Sequence, residues 1–286
     1  MTIPPDPYAL KAVETATKTV IELLHEDIKA GMAELLRIVK ERGKDQAMRN
    51  VAMFNEALEK DITQRISIGV SSNGYERIEG NLNDPDFAYL VSQATIASAR
   101  TMNPDKHKLL ARAVIERLFA KPESLVALAS SLACQIIPNL KPNHLTFLGL
   151  LVTVLNLEPV FGPNLEQQSP EERQGFYLAW LENELAIFMP YPKMLSIDYD
   201  HLQGMSCIDI ERVGQRTWDQ VFRRRTNPTI SLPENYIENN EKIRELKKID
   251  GLLRCTPTTV GAVIGTHVHD IKLNKNPTIF KWDDEE

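Results

Sequence analysis

The fold of this chain is decided by residues 84–157, which read DPDFAYLVSQATIASARTMNPDKHKLLARAVIERLFAKPESLVALASSLACQIIPNLKPNHLTFLGLLVTVLNL. Four helices are predicted there in succession, and a proline step precedes each apolar run: Asp84-Pro85, Asn103-Pro104, Lys121-Pro122 and Lys141-Pro142. Asp or Asn can cap the free amide groups of a helix, and proline in the first turn loses no hydrogen bond. The stretch therefore predicts a mainly α-helical protein built around these four helices.

The fourth of these helices is apolar on nearly every side between Leu145 and Leu157. A helix of this kind is either buried in a large core or embedded in a membrane. A membrane span needs about 20 apolar residues, and this run ends earlier, at Asn156 and Glu158. The pattern therefore favours a buried core helix.

The second and third helices show one-sided apolar patterns. In the second helix, Arg112, Glu116 and Arg117 lie opposite a broad apolar stripe. In the third, four apolar side chains share one face at helical spacing: Leu125, Leu128, Leu132 and Ile136. Both patterns are typical of helices that pack through one apolar face.

The composition is that of a globular protein, with 43% hydrophobic and 25% charged residues among 286. The formal net charge of −6 disfavours non-specific binding of nucleic acid by the chain as a whole. Cys134, Cys207 and Cys255 are too few and too scattered for a disulfide framework. The first seven residues lack the basic region of a signal peptide, so we expect a cytoplasmic protein.

Motifs that specify a reaction do not occur in the sequence, which has no P-loop, dinucleotide glycine fingerprint, G-x-S-x-G or H-E-x-x-H. His267 and His269 are two residues apart, and such a pair does not share one side of a helix, so we expect no metal site. Asp198, Asp200 and His201 could serve acid–base chemistry, but the same residues suit a solvated turn. The sequence therefore assigns no catalytic residue, metal or cofactor, and it favours a protein that is not an enzyme.

A long helix is predicted from Asp6-Pro7 to about residue 40, and it forms an N-terminal arm. Its apolar stripe consists of Ile21, Leu24, Ile28, Met32, Leu35 and Val39. The spacing is closer to an eleven-residue repeat than to a strict heptad, so a partner helix would pack with little supercoil. The stripe either packs on its own domain or pairs with another subunit or a helical partner, because a single stripe does not reveal which surface covers it.

A small β-hairpin is predicted near residues 66–78. Ile66, Ile68 and Val70 alternate, and Asn73-Gly74 suits the positive φ angles of a tight hairpin turn. The predicted architecture is thus a multi-helix bundle with a long N-terminal helical arm and one hairpin. We divide it into an N-terminal region (residues 1–80), a central helical core (81–190) and a C-terminal helical region (191–286).

A basic cluster is the candidate for anion binding, and it consists of Arg212, Arg216, Arg223, Arg224 and Arg225. Such a cluster could bind phosphate groups of nucleic acid or anionic lipid, or an acidic protein surface. It is equally typical of a solvated helix face whose acidic partners lie in the same chain.

The central stretch resembles a family of uncharacterised bacterial proteins known by locus tags, the LPO/Vpar family. The resemblance lies in LLARAVIERL, ESL, and IIPNLKPNHL leading into LGLL, with weaker similarity in GMSCI and in CTPTTVGAVIGTHV near the C-terminus. It covers about residues 60 to 272, and the first 50 residues are not matched. The resemblance implies a helical fold and gives no catalytic residues. Because proteins of this kind tend to be patchily distributed accessory genes, it favours a role in anti-phage or mobile-element biology.

Three functional hypotheses follow. The first is a non-enzymatic interaction or sensor protein that forms a homo-oligomer, with the arm and the hairpin as assembly elements, acting as an accessory component of bacterial antiviral defence. The alternative is a module that binds nucleic acid or anionic lipid through the arginine cluster between Arg212 and Arg225. The third, a helical enzyme using Asp198, Asp200 or His201, has the least support.

Overall fold

The computed structural model describes residues 7–38, 41–67, 72–157, 169–211, 217, 240–249, 251–276 and 278. Its contacts group the chain into two compact units. Unit 1 comprises residues 1–139 and 275–286, and unit 2 comprises residues 140–274. The three regions drawn from the sequence had other boundaries, after residues 80 and 190.

Helices dominate both units in the described part of the chain, as the sequence predicts. Unit 1 contains α1 (Pro7–Ile38), α2 (Glu41–Ser67), α3 (Ser72–Leu82), α4 (Pro85–Ala99), α5 (Pro104–Phe119) and α6 (Leu125–Ile136). Unit 2 contains α7 (Pro142–Leu155), α8 (Pro170–Ala186), α9 (Ser196–Gly204), α10 (Glu241–Leu246) and α11 (Thr259–Lys272). One two-stranded antiparallel sheet, formed by β1 (Ile208–Ile210) and β2 (Cys255–Pro257), also lies in unit 2.

Local capping explains where several of these helices begin. The side chains of Asp84 and Asn103 accept hydrogen bonds from backbone amides in the first turns of α4 and α5, each at 2.9 Å. Ser169 and Glu172 form the reciprocal capping box that starts α8. Helix α6 begins three residues later than the Lys121-Pro122 step predicts, because the cap is the side chain of Ser124.

Helix α5 is the centre of unit 1 and packs against α2, α4 and α6. Arg112, Glu116 and Arg117, which the sequence places opposite the apolar stripe, are all buried. Each is neutralised by a side chain from a distant part of the sequence. The pairs are Arg112 Nε with Asp61 Oδ2 at 3.3 Å, Arg65 Nη1 with Glu116 Oε1 at 3.3 Å, and Arg117 Nη2 with Asp84 Oδ2 at 2.7 Å. Arg112 also donates from Nη2 to the carbonyl oxygen of Lys275 at 3.0 Å.

The predicted hairpin at residues 66–78 is wrong in its position. Ile66 and Ser67 end α2, and residues 72–78 belong to α3. Leu58, Ile62 and Ile66 are all buried and lie four residues apart, so the helical repeat of α2 includes Ile66, the first residue of the alternating pattern. The small sheet of this fold instead joins segments far apart in sequence, with Ile208 opposite Pro257 and Ile210 opposite Cys255.

Helices α7 and α11 form the core of unit 2. The predicted core helix is confirmed, since every residue of α7 from Phe147 to Val154 is buried. Glycine permits the close approach of α11, because a Cβ at Gly265 would lie 2.5 Å from the carbonyl oxygen of Leu148. A Cβ at Gly261 would lie 1.8 Å from the carbonyl oxygen of Cys207. The Gly261–Gly265 pair therefore serves tight packing inside this unit.

Candidate functional site

A buried polar cluster joins the N-terminus of α7 to α9 in unit 2. The backbone amide of Lys141 donates to Nδ1 of His144 at 3.3 Å. The proton of this imidazole therefore lies on Nε2, which donates to Oδ1 of Asp198 at 3.0 Å. Oδ2 of Asp198 accepts from the amide of Leu195 at 3.0 Å, and Lys141 Nζ lies 3.2 Å from Oδ1. Every strong hydrogen-bonding atom of the His144–Asp198 pair is thus engaged.

The charges of this cluster follow from its contacts. Burial lowers the pKa of His144, and the hydrogen bond and charge of Asp198 do not reverse that effect. The hydrogen bond from His144, followed by that from the Leu195 amide, holds the pKa of Asp198 well below its usual range. At neutral pH the pair is therefore a neutral imidazole and a carboxylate. Because both are fully hydrogen-bonded inside the protein, they hold α7 and α9 together and offer no free atom to a substrate.

The other two residues of the predicted acid–base group lie elsewhere on α9. The ring of His201 is half-buried and its centroid lies 5.1 Å from that of His144, while its Nε2 atom has no hydrogen-bond partner among the described residues. Asp200 is exposed and lines a cleft. The structure therefore separates Asp198 from Asp200, and it gives the three residues no common reaction centre.

The cleft beside α9 has a volume of about 220 Å³. It is lined by Met194, Ser196, Tyr199, Asp200, Ile210, Gly251, Arg254 and Cys255. Its walls come from α9, from β1, and from the 3₁₀ turn (Leu252–Arg254) that leads into β2. Residues far apart in sequence meet here, so no local sequence pattern indicates the cleft, and Asp200 is its one lining residue singled out from the sequence.

A second buried charge cluster connects α8 to α11. His269 Nε2 lies 2.5 Å from Glu184 Oε2, and its Nδ1 lies 3.3 Å from Asp270 Oδ1. Burial alone would lower the pKa of His269, but the hydrogen bonds that it donates to Asp270 and Glu184, and the negative charges of these two residues, raise the pKa above 6.5. Among the residues that the structure describes, no group of three side chains is arranged to hold a metal ion. The cluster is thus an ion-paired bridge between two helices.

An exposed leucine ridge runs along α6 in unit 1. Leu125, Leu128 and Leu132 are 57%, 55% and 45% exposed, at spacings of three and four residues. The opposite side of the helix, rich in alanine and serine, is buried against the unit. The sequence places these three leucines and Ile136 together on one apolar face of the helix. In the structure Ile136 is buried, whereas the three leucines point to solvent.

The N-terminal arm packs on its own unit along α4 and α2. Of the six side chains predicted for self-association, Leu24, Ile28 and Leu35 are buried and Ile21 and Met32 are half-buried. Val39 lies outside the described residues. The apolar stripe of α1 is thus covered largely by its own unit, which corresponds to the interpretation that it packs on its own domain.

The predicted anion-binding cluster lies outside the described residues, because Arg212, Arg216, Arg223, Arg224 and Arg225 all do. It stays a prediction.

Cys134, Cys207 and Cys255 are buried free thiols, and burial raises the pKa of Cys134 and of Cys207 to about 12 in each case. Neither of these two thiols has the thiolate character of a nucleophile.

In the described part of the chain, the fold and these sites define a mainly α-helical protein with structural charge clusters, an exposed leucine ridge and a small cleft beside α9. No helix in the described part of the chain combines the length and apolarity needed to cross a membrane. The model of an uncharacterised family named after a locus tag matches residues 32–257, and the chain belongs to that family. This agrees with the resemblance to the LPO/Vpar family. Comparisons with curated proteins and with solved structures gave no match.

Proposed function

We propose that this chain is a non-enzymatic interaction protein that self-associates in the cytoplasm through the leucine ridge of α6. The observation that carries the proposal is the exposure of Leu125, Leu128 and Leu132 in one row, at about half of each side chain. An apolar row of this kind on a surface helix marks an interaction site. Because Leu24, Ile28 and Leu35 of α1 are buried, we expect the contact between subunits on α6 and not on α1.

A second copy of the chain is the occupant that best fits this ridge. Helix α6 reads LVALASSLACQI and carries no charged residue. It therefore offers nothing to attract a strongly basic or acidic partner, and two copies brought face to face meet no charge repulsion. Leucines at spacings of three and four can interdigitate with the same ridge of another copy at a crossing angle of about 20°. The resulting two-fold contact would be the same patch on both subunits.

The size of the ridge indicates weak, reversible association. Full burial of a leucine side chain contributes about 1.5–3 kcal/mol, so half-exposed leucines contribute roughly half of that. Six leucines in a dimer then give about 5–9 kcal/mol before the cost of association, which is about 4–15 kcal/mol. The net gain is at most about 5 kcal/mol, which corresponds to a dissociation constant of roughly 0.2 mM or weaker. Association that depends on local concentration suits an accessory or sensor component of bacterial defence. We propose this role for the chain on the basis of its family resemblance.

Sedimentation velocity of the full chain, from micromolar to near-millimolar concentration, tests the proposal. We expect the weight-average sedimentation coefficient of the native chain to rise with concentration. The variant Leu128→Asp should remain monomeric over the same range, because a buried unpaired carboxylate in the contact is unfavourable.

Leu23→Asp is the matched control, since Leu23 is a 48% exposed leucine on α1 of the same unit. This variant should associate like the native chain. The proposal fails if the native chain is monomeric at every concentration, or if Leu128→Asp associates normally. Loss of association in Leu23→Asp with normal behaviour of Leu128→Asp would place the contact on α1 instead.

A further inference from the structure

The lining of the cleft beside α9 includes two opposite charges, those of Asp200 and Arg254. The side chains of Asp200 and Arg254 are both exposed, and neither has a hydrogen bond or ion pair with another residue in the described part of the chain. Surface charges without partners are common, but these two line one cleft of about 220 Å³. A ligand that carried both an ammonium and a carboxylate group would match them.

The apolar part of the cleft is held in shape by packing. Tyr199 stands edge-on to Phe147, with 5.4 Å between ring centroids and 82° between ring planes. The same ring approaches Gly251 so closely that a Cβ there would lie 2.9 Å from Cζ of Tyr199. Gly251 also has a φ of +83°, which favours glycine. The aromatic wall is therefore fixed before any ligand arrives, which lowers the entropy cost of binding.

The chemistry of the lining defines the ligand class. The guanidinium group of Arg254 can donate two parallel hydrogen bonds to a carboxylate, and the carboxylate of Asp200 accepts from an ammonium group. Met194, Ile210 and Tyr199 add apolar atoms to the lining of the same cleft. The volume of about 220 Å³ is below the range of about 300–1,000 Å³ that is usual for drug-sized ligands. The ligand must therefore be small.

We infer that this cleft binds a small zwitterion with an apolar side chain, of the size of an amino acid, with its carboxylate on Arg254 and its ammonium on Asp200. The inference goes beyond self-association and does not depend on it, because the cleft lies in unit 2 and the leucine ridge in unit 1. Binding of such a small molecule would add a ligand site to an interaction protein.

Calorimetric titration of the full chain with three related probes tests the ligand class. The probes are L-leucine, isoamylamine, which lacks the carboxylate, and 4-methylpentanoate, which lacks the ammonium group. We expect L-leucine to bind saturably at millimolar concentration. Each single-charge probe should bind about tenfold more weakly, because it forms only one of the two charge-assisted contacts.

Two conservative variants then assign the two ends of the ligand. Arg254→Gln should weaken L-leucine about tenfold and leave isoamylamine unchanged, whereas Asp200→Asn should weaken L-leucine similarly and leave 4-methylpentanoate unchanged. The unchanged probe shows in each case that the cleft is still folded. Arg244→Gln is the matched control, because Arg244 is an exposed arginine of the same unit that does not line the cleft.

Three results would overturn the inference. The first is the absence of saturable binding of L-leucine, and the second is equal binding of L-leucine by the native chain and both variants. The third is binding of 4-methylpentanoate as tight as that of L-leucine, since the cleft would then be a plain carboxylate site.

Discussion

Replacing Glu184 by glutamine removes the main charge partner of His269 and keeps the shape of the side chain. Both residues are buried, with 2.5 Å between Nε2 and Oε2. Removing one partner of a buried ion pair typically costs about 3–5 kcal/mol, because the other charge stays buried without compensation. Asp270 remains 3.3 Å from Nδ1 and still offsets part of the imidazolium charge. We therefore expect Glu184→Gln to lower the free energy of unfolding by about 2–3 kcal/mol at pH 6.

The pH dependence distinguishes a charged bridge from a simple packing defect. The pKa of His269 is raised above its ordinary value of 6.5, so protonation is favoured in the folded state. The stabilisation of the folded state by the pair of protonated His269 and Glu184 is fully present below about pH 6.5. It is lost as the pH rises through the raised pKa of His269 in the folded state. The difference between the native chain and Glu184→Gln should therefore shrink as the pH rises from 6 towards 9.

Equilibrium urea unfolding at several pH values measures this difference. A loss of 2–3 kcal/mol corresponds to a shift of the midpoint of about 0.7–3 M, for a slope of about 1–3 kcal/mol per M. Glu241→Gln is the control, because Glu241 is exposed on α10 of the same unit, and it should change stability by no more than about 0.5 kcal/mol. The reasoning is refuted if Glu184→Gln costs the same at pH 6 and pH 9, or no more than the control.

Two further predictions concern packing, and both can be measured by circular dichroism during thermal or urea unfolding. Gly265→Ala should destabilise the protein by about 1–3 kcal/mol or more, because its Cβ would overlap the Leu148 carbonyl. Gly175→Ala on α8 has nothing within 4 Å of its Cβ and should instead stabilise by up to about 1 kcal/mol, so destabilisation of both variants would contradict the packing argument. Deleting residues 1–38 should unfold unit 1 rather than release a folded monomer. The buried Leu24, Ile28 and Leu35 contribute about 5–9 kcal/mol together, similar to the whole stability of a domain, and a folded truncated chain would contradict this estimate.

The sequence predicts those elements whose signals are local. The starts of α4, α5 and α7 lie at Asp84-Pro85, Asn103-Pro104 and Lys141-Pro142, because capping and proline geometry involve only neighbouring residues. The hairpin fails for the opposite reason. A short alternation and an Asn-Gly pair are weak signals, and the tertiary packing of α2 through Ile66 overrides them.

The candidate sites were harder to predict than the helices. The partners of Arg112 and Glu116 are 51 residues away in α2, so the pattern of α5 alone shows polar residues that ought to be exposed. The leucines of α6 are grouped correctly, but an apolar stripe does not reveal which side meets the core. In α6 the side that meets the core contains Ala129 and Ala133, because small side chains allow the helix to approach its unit closely. The walls of the cleft likewise come from segments separated by more than 40 residues.

The discontinuity of unit 1 has a consequence for biosynthesis. Arg112 donates to the carbonyl of Lys275, which lies 163 residues further along the chain. All of unit 2, residues 140–274, must leave the ribosome before that acceptor becomes available. Domains fold as units during synthesis at about 5–20 residues per second, so this gap corresponds to roughly ten to thirty seconds. During that interval Arg112 can pair with Asp61, but its hydrogen bond to Lys275 cannot yet form.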